Sequence, residues 1–259
     1  MSILKIHREN GVLVLEFAHE NSQNPMSKAL AEAIIEACGT ATSDPAVSAV
    51  VLTGGQNRSF CAGGDFNEVS KMKLREEVEA WLDRTIGLYV AILSINKPTV
   101  AAVEGHAIGT GFQIALCTDW RLGSSNTKLN MWELKHGLAC SVGGYMLEKF
   151  SSRALMLKLV VGCEPMPASE GLEYGFLNEV VDSSNMVERA VERAQQFAKY
   201  PQLPFLRTKS SFNRSFIQGL QGILQESKEA HCAAFLNRTA DAHINRVLKT
   251  GVKPQVVAE

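Results

Sequence analysis

Apolar positions along the chain follow two spacings, and the points where the spacing changes outline its elements. Residues 11–17 are a short aliphatic run, read as a strand. Over residues 27–38, Leu30, Ile34, Ile35 and Cys38 recur at helical steps, with Ser27 placed as an N-cap after Pro25. Residues 47–53 are mostly apolar, the pattern of a strand covered on both faces. A glycine-rich turn over 54–65 follows. From 75 to 95 a strong helical stripe runs through Val78, Leu82, Ile86, Tyr89 and Leu93. Pro98 ends it, and 99–103 is another short buried strand. A second glycine-rich turn over 105–111 opens a short helix at about 112–117. Strands alternating with helices predict an α/β core. Beyond about Pro201 the pattern is helical only, with Leu220, Ile223, Leu224 and Phe235 as apolar markers. The expected division is a core over 1–200 and a helical region over 201–259.

Composition narrows the partners. Lys and Arg number 26 against 27 Asp and Glu, a net charge of -1. A nucleic-acid or anionic-membrane surface needs a marked basic excess, so neither partner is expected. The cluster Lys71, Lys73, Arg75 runs straight into Glu76 and Glu77 and reads as a solvated helix face. The six cysteines form no C-x-x-C pair and no zinc-ligand spacing, the usage of a reduced intracellular protein. The first ten residues have no apolar h-region and no stretch reaches bilayer length, so a cytoplasmic protein is expected.

The candidate chemistry lies in the two turns. The first reads Ser59-Phe60-Cys61-Ala62-Gly63-Gly64-Asp65-Phe66, the second Gly105-His106-Ala107-Ile108-Gly109-Thr110-Gly111-Phe112-Gln113. Glycine allows positive φ and close backbone approach to a ligand. A turn that leads into a helix leaves backbone N–H groups free and adds a partial positive charge. Two such donors aimed at one point would stabilise a developing oxyanion, each worth roughly 10²–10³ in rate. Taken singly, either turn is equally a tight turn without a ligand, and neither has a P-loop lysine or the G-x-G-x-x-G order.

Order and content together are more specific. The first turn, then Lys-Pro-Thr-Val-Ala-Ala-Val-Glu-Gly-His-Ala-Ile-Gly-Thr-Gly beginning at Lys97, then Trp-Glu-Leu-Lys-His-Gly beginning at Trp132, resemble the crotonase superfamily. The resemblance runs from about Val12 to Leu248. It implies a crotonase fold: a spiral of ββα units followed by C-terminal helices that build a homotrimer or a dimer of trimers. It also implies an acyl-CoA thioester as substrate, with no permanently bound cofactor and no metal. The backbone N–H groups of Gly64 and Thr110 would form the oxyanion hole. Ala62, Gly63, Asp65 and Phe66 would meet the CoA, and Lys209 its phosphates.

One position narrows the chemistry. Hydratases of this superfamily use two glutamates; here the first position is Gln113, which cannot ionise, and the second is Glu133. A single carboxylate suits an enolate made by loss of CO₂. Gly-Gly-Asp-Phe-Asn-Glu-Val, Glu-Ala-Trp-Leu-Asp-Arg, Gly-Phe-Gln-Ile-Ala-Leu, Glu-Leu-Lys-His-Gly and Ala-His-Cys-Ala-Ala-Phe resemble the carboxymethylproline synthases. That resemblance implies decarboxylation of malonyl-CoA, attack of the enolate on a cyclic imino acid, and thioester hydrolysis. Glu133 would activate the water, Gln113 would orient the reacting groups, His231 would contact the imino acid's carboxylate, and Trp81 would line the pocket. Three residues depart from the pattern: Thr110 stands for a methionine, Trp132 for a proline, and Cys61 for a serine. A single-glutamate hydratase or isomerase, a malonyl-CoA decarboxylase or thioesterase, and a non-catalytic acyl-CoA- or RNA-binding relative remain alternatives.

Overall fold

The computed structural model describes residues 2–250; positions 251–259 of the expected helical region lie outside the described residues. The strands are β1 (Leu4–Glu9), β2 (Val12–Phe17), β3 (Ala49–Thr53), β4 (Thr99–Val103), β5 (His106–Ile108), β6 (Trp120–Gly123), β7 (Lys128–Asn130), β8 (Met166–Pro167) and β9 (Glu179–Val180). The helices are α1 (Lys28–Ser43), α2 (Phe66–Val69), α3 (Arg75–Leu93), α4 (Thr110–Leu116), α5 (Ser141–Phe150), α6 (Arg153–Val160), α7 (Ala168–Glu173), α8 (Met186–Ala198), α9 (Gln202–Gly222), α10 (Leu224–Leu236) and α11 (Asp241–Thr250). Among the described residues no helix is long and apolar enough to cross a membrane.

Six strands form the main sheet in the order β1-β2-β3-β4-β6-β9. Every pairing in it is parallel except the β1–β2 hairpin. Successive side chains of a strand point to opposite faces, and both faces of this sheet are covered. Leu13, Leu15, Val50, Leu52, Ala101 and Val103 enter the larger core, under α1 and α3. Their neighbours Val12, Val14, Ala49, Val51, Val100 and Ala102 meet the stripe Met186, Ala190, Val191, Ala194 and Phe197 of α8. This explains why β2, β3 and β4 read as continuous apolar runs.

A second sheet, β5-β7-β8, lies beyond the end of β4. The two glycine turns are tied together there. Cys61 N–H donates to His106 O at 3.0 Å, and Ile108 N–H donates to Cys61 O at 3.0 Å. Gly111 is obligatory at this seam, because a Cβ on it would lie 2.1 Å from Cys61 O. The turns are therefore one paired piece of backbone rather than two loops. A third, smaller core gathers Val69, Val78, Leu138, Cys232, Phe235, Ala240 and Ile244, and so packs α10 and α11 against α2 and α3.

Candidate active site

Backbone geometry sets up the donors first. Met26 N–H donates to Gly63 O at 2.7 Å and Asp65 N–H to Met26 O at 3.2 Å. This parallel bridge uses the residues flanking Gly64, so the N–H of Gly64 points to the other side of the strand. Thr110 is the first residue of α4, where a backbone N–H has no partner within the helix. Gly109 before it has φ 50°, a left-handed conformation that glycine adopts without strain. Gly64 and Thr110 line the same cleft, with Ala62, Gly63, Phe66, Trp81, Gln113, Glu133 and His231.

Glu133 follows β7 and β5's partner strand delivers it beside α4. Gln113 Nε2 donates to Glu133 Oε1 at 2.8 Å. Gln113 Oε1 in turn accepts from the Tyr89 hydroxyl at 2.7 Å. A Cβ on Gly109 would sit 3.1 Å from Glu133 Oε1, so glycine there also makes room for the carboxylate. Burial raises the Glu133 pKa; its own backbone N–H, the Cys140 thiol and the Gln113 amide work against that shift. Glu133 Oε2 is buried and has no hydrogen-bond partner among the described residues.

The opposite wall is aromatic. The Trp81 ring packs edge-on against His231, with centroids 5.5 Å apart, and against Phe235 at 6.1 Å. His231 Nδ1 meets the Ser227 carbonyl at 2.8 Å. A carbonyl only accepts, so Nδ1 carries the proton. Burial lowers the His231 pKa, which favours the neutral ring with Nε2 as an acceptor. His136 lines the mouth edge-on to Phe66. Burial, His243 and Lys135 push its pKa down to about 4. Trp132 lines the cleft with its indole N–H buried and unpartnered among the described residues, and Lys135 Nζ lies 5.5 Å over its ring.

Two expected CoA contacts are corrected. Asp65 accepts from the Asn67 backbone N–H at 2.9 Å as the N-cap of α2 and does not line the cleft. Lys209 is 7% exposed and pairs with Asp119 at 2.7 Å, donating also to Lys97 O at 2.8 Å. Its charge is held in a buried structural pair, away from the cleft, because the helical stripe of α9 turns it inward. Sequence reasoning also missed two site residues. Tyr89 sits in an apolar helical stripe and looked like core, which it also is. Cys140 looked like one more buried small residue; only its distance of seven residues from Glu133, across a turn, hinted at contact.

Comparison with known proteins places the chain in a family. The enoyl-CoA hydratase/isomerase family model matches residues 7–246. The carboxymethylproline synthase of Pectobacterium carotovorum is 43% identical over 237 residues, 92% of this chain and 95% of that protein. The structure of ThnE from S. clavuligerus is 34% identical with a TM-score of 0.77, covering 88% of this chain and all (100%) of that one. An enoyl-CoA hydratase/isomerase from Mycobacterium paratuberculosis, 21% identical, superposes with a TM-score of 0.85 over 95% of this chain and 98% of that one, and shows the fold alone. The chain has the crotonase fold and belongs to the enoyl-CoA hydratase/isomerase family.

Proposed function

We propose that this protein is a carboxymethylproline synthase-like enzyme that uses malonyl-CoA. The observation that carries the reading is the company of Glu133. Among the described residues it is the one carboxylate lining the cleft, and its neighbour is the amide of Gln113. Hydration by a glutamate pair has no second acid here. The 43% identity to the Pectobacterium synthase supports the same choice.

In this reading malonyl-CoA enters with its thioester oxygen between the N–H groups of Gly64 and Thr110. The C–C bond to the carboxylate breaks, CO₂ leaves, and the electron pair passes into the enolate held by those donors. The enolate carbon attacks the imine carbon of pyrroline-5-carboxylate or a related cyclic imine in its N-protonated, iminium form, and the C=N pair moves to nitrogen, leaving a neutral amine. With Nε2 unprotonated, His231 faces the iminium N–H. Glu133 then takes a proton from water, the hydroxide adds to the thioester carbon, the C–S bond breaks, and the proton returned by Glu133 lets CoA leave as the thiol. No bound cofactor takes part.

Incubation with malonyl-CoA and pyrroline-5-carboxylate should give carboxymethylproline by mass spectrometry together with free CoA. Neither product appearing, or turnover of crotonyl-CoA instead, would sink the reading. It also implies a homotrimer or a dimer of trimers. The support is α9, where Leu203 and Phe212 are each 70% exposed, an apolar surface of the kind subunits cover. A monomer mass by light scattering would reject that assembly.

A further inference from the structure

We propose that Tyr89 is a positioning residue, whose hydroxyl fixes the Gln113 amide in the one orientation that presents N–H to Glu133. The inference rests on Glu133 acting as the base. An ionised carboxylate only accepts hydrogen bonds, so the Gln113 end facing it has to be the NH₂ group. The carbonyl end then faces α3, where it needs a donor. Tyr89 supplies it at 2.7 Å, and the link onward to Glu133 is 2.8 Å. Both Tyr89 and Gln113 are buried, so water does not compete for either end.

The surroundings make this donor matter. No lysine or arginine lines the cleft among the described residues. The groups facing Glu133 are Cys140 at the start of α5, Gln113 on α4 and Tyr89 on α3, with His136 and His231 on the same cleft. The histidines are held toward their neutral forms by burial. Lys135, two residues on, donates to Cys163 O instead. The Gln113 amide is therefore one of three groups that favour the Glu133 charge, beside the backbone N–H of Glu133 and the Cys140 thiol, and it is the one whose orientation decides the sign of its effect. Turned over, its oxygen would face the carboxylate and favour the protonated acid.

Infrared spectroscopy of the full chain without substrate tests this. The carbonyl band of protonated Glu133, assigned by its loss in Glu133→Gln, is followed against pH. Tyr89→Phe should raise the titration midpoint by roughly one pH unit, the size expected for losing a hydrogen bond to the charged form. Gln113→Leu should raise it similarly, and adding Tyr89→Phe to Gln113→Leu should move it no further, because Tyr89 acts through Gln113. If Tyr89→Phe does not fold, 3-fluorotyrosine at position 89 keeps the ring and strengthens the donor, and should lower the midpoint. An unmoved midpoint in the Phe or fluorotyrosine protein, or an additive double variant, overturns the proposal. Because no substrate is present, failure to make carboxymethylproline would count against the proposed reaction and leave this result standing.

Discussion

Burial disfavours a charge on Glu133, and under the proposed reaction that raised affinity for a proton is what its role as base needs. A carboxylate with a raised pKa holds a proton more tightly than an ordinary glutamate, so it removes one from water more readily. The sign follows: thioester hydrolysis should fall as pH drops, with its midpoint above the ordinary glutamate range, and Glu133→Gln should abolish that limb. Glu133→Ala should stop CoA release while malonyl-CoA still loses CO₂ at a reduced rate, because the first step depends on the backbone donors; ¹⁴CO₂ counted beside free thiol separates the two. At Thr110 the backbone matters more than the side chain. Thr110→Pro removes the N–H and should cost at least about 10²-fold in turnover, whereas Thr110→Ala should stay within about tenfold. Gln113 and Glu133 were singled out by the resemblance of the motifs around them, and the structure brings their side chains together. Tyr89 was not, since the same side chain satisfies the helical stripe and the site together.

At the scale of elements, the two glycine turns work because they are paired backbone. Gly109→Ala would place a methyl 3.1 Å from Glu133 Oε1 at a φ of 50°. Backbone strain of about 1–3 kcal/mol and a displaced carboxylate are the expected results, read as a lower Tm and a larger fall in hydrolysis than in decarboxylation. The short turn carrying His136 meets α11, where a Cβ on Gly137 would lie 3.2 Å from Ala240 Cα and 3.4 Å from His243 Cδ2. His136 titrates near 4 in the fold against 6.5 for a free side chain. The unfolded chain therefore binds more protons through that window, and stability should fall as pH drops from about 6.5 toward 4. His136→Asn should flatten that part of the Tm–pH curve. Strands β2, β3 and β4 were readable because burial on both faces leaves an unbroken apolar run. β1 was not: it is an edge strand of sequence LKIHRE with only Leu4 buried, so its composition reports solvent rather than pairing. From β6 to β9 the strands have two to four residues, too short for either period to register.

Across the whole molecule, long-range pairs join the C-terminal helices to the core. Lys209 on α9 reaches Asp119 and Lys97 O beside β4 and β6. Arg75 and Glu229 join α3 to α10 at the surface, at 3.0 Å. Breaking the buried pair should cost roughly 3–5 kcal/mol in urea unfolding. Asp119→Ala should cost more than Lys209→Met, since it leaves the more buried partner charged. Lys209→Met should leave KM for malonyl-CoA unchanged, whereas a lysine on the CoA phosphates would raise it. The sequence showed that helices follow residue 201 but not which of their faces turn inward, because that depends on partners more than a hundred positions away. The seam between the turns has a consequence for how such an enzyme changes. Its donors are main-chain groups locked by Cys61, Ile108 and Gly111, whereas the facing wall consists of the side chains of Trp81 on α3 and His231 on α10. Under the proposed reaction, mutation would redraw the choice of electrophile from the helical side while the machinery that makes the nucleophile is inherited intact.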